Sequence, residues 1–369
     1  MSPVRSGLRL RSRMAIVDRI GGKEEVFFFP PTNAALAHTT FETDFARVAL
    51  LFFYWDAQQA TLFGRDMCQT VFDVRIQLPC DEYLWCANSP SEWIERIDNV
   101  QDGQGFLDTL KIFLDSRRDP PALSPFSLVL ILHGLIAVGL DLQRRASPVS
   151  PDAEDSATKQ ARISRGLETW RTGFEALMPQ VLVQSWYQKV LLMFHMAHVA
   201  LHTNRQVLLA AAGDRRFFRR NSNEFYRAKH ELQRWLALPS AQLATWHAVQ
   251  ILLRFLGSVQ VYQQDLYVIW STYLAALICW AYGQSEGPDK QQQQDEPVRW
   301  DLEQDMRLYL QQMNTDTWEN LALVRRQYRT RTKGLLAVMG DTMKMTRWGL
   351  VQEGLEILKR LRDQKSISV

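Results

Sequence analysis

Three histidines stand close together in FHMAHVALH, at positions 195, 198 and 202. Spacings of three and four place their imidazoles along one stripe of a helix. At about 1.5 Å of rise per residue, His195 and His202 lie roughly 10 Å apart along the axis. A single zinc ion with bonds near ~2 Å cannot gather all three. A pair such as His198 and His202 could bind an ion with outside ligands, which would make the stripe the centre of a helical, metal-dependent enzyme. We read the imidazoles instead as polar groups satisfied within a helix-packing interface. A second pattern, Gly283-Gln284-Ser285-Glu286-Gly287, matches the nucleophile elbow G-x-S-x-G, which needs a strand before it, a helix after it and a later histidine. Here an apolar helical run precedes it, Pro288 and a glutamine run follow, and His247 is the last histidine. It reads as a chance match in a linker. The phosphate-binding, dinucleotide-binding and H-E-x-x-H motifs are missing from the sequence. No residue is assigned as catalytic, cofactor-binding or metal-binding.

The four cysteines, Cys68, Cys80, Cys86 and Cys279, contain no C-x-x-C spacing. They do not make a two-Cys, two-His finger or a six-cysteine binuclear cluster, so no DNA-binding residue is assigned. Sparse thiols suit a reducing compartment. Arg215 to Arg220 and the set Arg325, Arg326, Arg329, Arg331 and Lys333 are basic patches near aromatics. Their plainer reading is arginines paired with acids at helix ends.

The chain has 369 residues, 46% of them hydrophobic and 22% charged, with a formal net charge of +3. That size supports a sizeable core without staples. The charge is too small to argue for a nucleic-acid or anionic-membrane partner. Arg5, Arg9, Arg11 and Arg13, with no acid before Asp18, have the look of a mitochondrial presequence or a nuclear import signal, and we read residues 1–30 as a basic tail.

The elements that would position these groups are helical. Ser89-Pro90-Ser91-Glu92 forms a capping box, and Ser124-Pro125 opens FSLVLILHGLIAVGLDLQRR. Asn221 with Glu224 caps EFYRAKHELQRWLA, and Asp316 with Glu319 opens WENLALVRRQY. Residues 182–212 read as one long apolar helix, and Leu350, Leu355, Leu358 and Leu361 mark the last. Glu25 to Phe29 is the lone strand candidate. Residues 126–140 are too short for a comfortable membrane span. Residues 266–285 are long enough, but carry hydroxyls mid-span and no basic flank, so we read a helix buried in protein. Residues 147–160 and 284–298 are polar, Ser-, Pro- and Gln-rich, and read as surface loops dividing blocks 1–146, 161–283 and 299–369. The fold expected is all-α: an irregular multi-helix array, one large domain over residues 31–369 with two polar loop insertions.

Several segments carry a resemblance, in order, from about residue 45 to 365. An aromatic-rich helix ends in a D-x-Q-x-x-x-L-F-G step (Asp56, Gln58, Leu62, Phe63, Gly64). A segment Leu78-Pro79-Cys80-Asp81-Glu82, with Leu84 and Trp85, follows. Then come Leu132-His133-Gly134-Leu135, the stripe His195 to His202, and a closing Arg347, Trp348, Leu350, Glu353 pattern. This series resembles the regulatory domain of fungal zinc-finger transcription factors, the fungal-specific transcription factor domain. The resemblance implies an all-α regulatory and interaction domain that serves RNA polymerase II transcription in the nucleus. It implies partners among the proteins of the transcription machinery or a second copy of the chain, no membrane, and DNA contact only indirectly or through fingers this chain lacks. Zinc is implied only in the fingers of full-length relatives, and no cofactor for the chain itself. The expected mode of action is modulation by protein contacts or by a small ligand between helices.

Overall fold

Thirteen α-helices and two short 3-10 turns make up the regular structure of the described residues in a computed structural model of the chain. Those residues are 34–79, 104–145 (Ser116 excepted), 153–177, 184–214, 222–257, 265–283, 301–327, 332–344 and 349–363, with a few single positions between them. The all-α expectation holds. The basic tail, the 284–298 loop, the strand candidate, the capping box at Ser89, the G-x-S-x-G serine, Cys80 and the pair Arg347-Trp348 lie outside the described residues. Residues up to Phe45 form one compact unit and Ala46 onward another, and the hydrophobic core belongs to the second.

α1 (Ala34–Phe63) enters this unit at Ala46 and buries Leu50, Phe53, Ala57 and Ala60. α2 (Phe106–Leu114) and α3 (Pro125–Arg145) come next. The Ser124-Pro125 start is as expected: Ser124 Oγ accepts from the Ser127 amide at 3.2 Å. α4 spans Ala153–Ala176, so residues 153–160 are helix where the reading of 147–160 expected a loop, and 147–152 lie outside the described residues. Ala, Glu, Lys and Gln propagate helix well, and the prolines of the stretch all precede Ala153 in the sequence.

The apolar run at 182–212 is two helices, α5 (Gln184–His202) and α6 (Arg205–Ala211). Asn204 divides them, its side chain accepting from the Val207 amide at 3.3 Å, so the chain turns where one continuous helix was expected. α7 (Asn223–Leu236) is capped by Ser222 rather than Asn221, and α8 (Pro239–Leu256) starts on a proline. α9 (Leu266–Gly283) buries sixteen residues in succession. α3 and α9 are long and apolar enough to cross a membrane, yet both are mostly buried in protein. The core of the fold accounts for their composition.

α10 (Leu302–Met313) is followed by a 3-10 turn (Trp318–Asn320) capped by Thr317, not Asp316, and by α11 (Leu321–Gln327). α12 (Lys333–Met343) and α13 (Gly349–Asp363) complete the array, α13 burying Val351, Leu355, Leu358 and Leu361. Trp270 of α9 is fully buried and donates its indole N–H to the Leu62 carbonyl at 2.9 Å, so the end of α1 is tied to the centre of the core.

Candidate functional site

The D-x-Q-x-x-x-L-F-G step forms one structural device. Gly64 has φ of +64° and its amide closes α1 on the Ala60 carbonyl at 3.0 Å, an αL helix end that glycine adopts without strain. Asp56, buried one turn before Ala60, accepts from the Cys68 amide at 2.7 Å and from Arg65 Nη2 at 3.0 Å. Its carboxylate thus binds the chain that has just reversed direction. Gln58 points its amide at Met193 of α5, and the Gly64 carbonyl accepts from Gln206 of α6 at 2.9 Å. Asp56→Asn replaces one acceptor with a donor facing an N–H. It is expected to cost about 1–3 kcal/mol, read as a lowered urea midpoint at unchanged slope.

This turn walls one side of a cavity of about 530 Å³. Arg65, Gln69, Thr70, Leu140, Arg144 and Arg205 are among its lining residues. Arg65 pairs with Asp56, and Arg144 with Asp141. Arg205 is buried and donates Nη1 to the Ala200 carbonyl at 3.2 Å, while its Nε has no partner. Among the described residues no carboxylate pairs with it. Burial lowers its pKa to about 10, which still leaves it cationic near neutrality. The cavity therefore presents a buried positive charge with no counter-ion among the described residues.

The histidine stripe lies elsewhere, between α4, α5 and α8. His195 and His198 are buried and His202 is partly so. The structure adds two groups that the linear spacing cannot reveal, His247 of α8 and Glu168 of α4. His195 Nδ1 and His247 Nδ1 are 2.9 Å apart, one imidazole donating to the other. The rings of His198 and His247 stack with centroids 4.0 Å apart and planes within 6°. Glu168 Oε1 lies 3.2 Å from His198 Nε2. That nitrogen nevertheless lacks a hydrogen bond of acceptable geometry, as does His198 Nδ1. His202 turns away: its Nε2 meets Ser164 Oγ at 3.1 Å and its ring centroid is 6.1 Å from that of His198. The pair His198–His202 is therefore not a ligand pair, and His247 takes the place that the stripe alone offered to His202.

Phe194 caps the cluster, edge-on to His195 and His198 at 5.2 and 4.9 Å, and Trp170 stacks on its other side at 5.9 Å. Burial holds His195 and His247 well below the usual imidazole range, so both are neutral near pH 7. Glu168 is exposed and links this otherwise dry cluster to solvent. The signal that could have found His247 is its place beside Trp246 in a helix whose other face is aliphatic. Nothing in the sequence pairs it with position 195.

The basic patches divide. Arg216 pairs with Asp214 at 2.6 Å and Glu353 at 3.2 Å, as the plainer reading of its patch expects, whereas Arg325 donates to the Leu236 carbonyl at 3.3 Å and lies over the Tyr282 ring. Arg215, Arg219, Arg220, Arg329 and Arg331 lie outside the described residues.

Residues 35–172 match the family described as the fungal specific transcription factor domain. The chain is 30% identical over 329 residues to zinc finger protein klf1 of Schizosaccharomyces pombe, covering 85% of this chain and 41% of that protein. It is 28% identical over 338 residues to the nicotinate catabolism cluster-specific transcription factor of Emericella nidulans, covering 85% of this chain and 38% of that one. The chain thus spans about two fifths of the length of these curated relatives. No solved structure matches it. The Asp56 turn, the His133 helix and α4 up to residue 172 fall inside the matched region, so this part of the chain is similar to the fungal specific transcription factor domain.

Proposed function

We propose that the chain is the regulatory and interaction part of a nuclear RNA polymerase II transcription factor, acting through contacts with other proteins rather than through catalysis. The family match over residues 35–172 carries this reading. An apolar surface gives it a physical means. Val48, Leu51, Phe52 and Trp55 are exposed on α1 at i, i+3, i+4 and i+7, while the opposite face of the same helix is buried. A water-facing apolar stripe of this spacing suits an amphipathic helix from a protein of the transcription machinery.

The test fuses residues 1–369 to a heterologous DNA-binding module and reads a reporter in a fungal cell. Reporter output should change severalfold, and Phe52→Ser with Trp55→Ser should abolish the change without lowering the melting temperature. A tethered chain that leaves transcription unaltered would overturn the reading.

A small-ligand mode of control is favoured by Arg205 in the 530 Å³ cavity, whose Nε has no partner and whose charge meets no carboxylate among the described residues. A molecule bearing a carboxylate would neutralise that charge. Small aromatic carboxylates should raise the melting temperature where their amides do not. An equal response to both would remove this mode.

A further inference from the structure

We propose that Glu168, His198 and His247 form a binding site for a divalent transition-metal ion that joins α4, α5 and α8. One ring nitrogen from each histidine and one carboxylate oxygen of Glu168 lie within 4.8 Å of one another. They come from three separate helices, so their convergence is a product of tertiary packing and not of helical period.

Two observations point from the cluster to a ligand. First, both ring nitrogens of His198 are buried, Nδ1 with no hydrogen-bond partner among the described residues and Nε2 with only the Glu168 carboxylate beside it. A buried imidazole nitrogen without a partner is costly in a packed core, and coordination would satisfy it. Second, Glu168 Oε1 approaches His198 Nε2 to 3.2 Å outside hydrogen-bonding angles. These two donor atoms and a ring nitrogen of His247 share one small volume.

The surroundings suit such a role. His195 holds His247 through its Nδ1, the kind of outer contact that orients ligating imidazoles. Phe194 and Trp170 pack against the site and keep its dielectric low. Glu168, 54% exposed, offers the entry path. Binding would rotate the His198 ring out of its stack on His247, because ring lone pairs lie in the ring plane. Two imidazoles and one carboxylate suit zinc or iron(II), cobalt(II) and nickel(II), with remaining positions open to water. An open, solvent-reached site of three protein ligands exchanges its ion, so occupancy would report metal availability by stiffening the α4–α5–α8 packing. The proposal is independent of the transcriptional reading and can fail or hold without it.

The test uses the full chain stripped with a chelator, with cobalt(II) and zinc(II) as probes. The expected result is one equivalent of cobalt with ligand-field absorption displaced by zinc, and a melting temperature that rises with zinc concentration. Glu168→Gln lies at the surface and should fold, yet bind zinc roughly tenfold or more weakly. His198→Gln should lose the absorption. Absence of binding, or stoichiometric binding unchanged in Glu168→Gln, would overturn the proposal.

Discussion

A methyl group added at Gly334 is expected to cost the protein about 4 kcal/mol, among the largest effects of any single substitution in the fold. Gly334 sits in the first turn of α12, where α10 passes closest. A Cβ there would collide with the Leu302 carbonyl oxygen and stand 2.7 Å from Asp305 Oδ2 and 2.8 Å from Asp305 Cβ. The nearest of these is backbone, which cannot swing aside as a side chain can. The same approach carries a buried hydrogen bond, since the Gly334 amide donates to Asp305 Oδ2 at 2.9 Å. Separating the helices to admit a methyl lengthens that bond and leaves a nine-tenths buried carboxylate short of a donor. Overpacking costs about 1–3 kcal/mol and loss of a charge-assisted bond a further ~1.5–3.

Gly340, two turns along the same helix, is the internal control, because its Cβ would meet nothing within 4 Å. Gly340→Ala should leave stability unchanged or raise it by up to about 1 kcal/mol through helix propensity. Urea denaturation of both variants decides the matter. Equal effects at the two positions would mean that close approach of α10 and α12 is not what requires glycine at 334.

These two glycines also show where linear reading reaches its limit. Both lie in an apolar helix, and nothing local separates the one that another helix touches from the one that stands free. Helical period was legible from local pattern, and caps to within one residue: the Ser124-Pro125 start and the apolar run of α9 lie as expected, Leu355, Leu358 and Leu361 of α13 are buried, and the caps Ser222 and Thr317 each fall one residue after the one expected. Errors arose where composition and mechanism diverged. The 147–160 stretch looks like a linker by its serines and prolines, but the prolines precede Ala153 and the residues after it favour helix. The α5–α6 break was marked by Asn204, a good N-cap hidden inside a run that is apolar on both sides.

The candidate site follows the same division. The stripe of His195, His198 and His202 is a local pattern, read as polar groups satisfied within a helix-packing interface; His195 and His198 are both buried, but of the two only His195 has a hydrogen-bonded ring nitrogen. Glu168 and His247 stand 30 and 49 residues from His198 in the chain, and only the packing of α4 and α8 on α5 brings them together. The role of Asp56 was likewise hidden. The resemblance marked the residue, but its hydrogen bonds to Arg65 and Cys68 depend on the reversal that Gly64 permits.

Acid should destabilise the protein from about pH 6.5 downward, well before ordinary carboxylates titrate, with His133 a principal contributor. His133 is fully buried in α3, its Nδ1–H donates to the Val129 carbonyl at 2.7 Å and its ring lies 4.3 Å from that of Tyr54. Its Nε2 has no partner. Burial lowers its pKa from 6.5 to about 4, the hydrogen bond to Val129 opposing this in part. The unfolded chain therefore binds a proton at this position between pH 6.5 and 4 where the folded chain does not. Stability then rises with pH across that window, is fully present above it and is lost as pH falls, by about 3 kcal/mol in all. His195, His202 and His247 are lowered by burial as well and add to the same trend. Urea midpoints measured at half-unit steps from pH 7.5 to 5 should fall, and His133→Phe should reduce the slope by up to about 1.4 kcal/mol per pH unit. A second measurement, the ring resonance of His133 in the folded protein, should stay unprotonated above pH 5. Parallel slopes for the two proteins, or a ring that titrates near 6.5, would show that α3 tolerates a charged imidazole in its buried face.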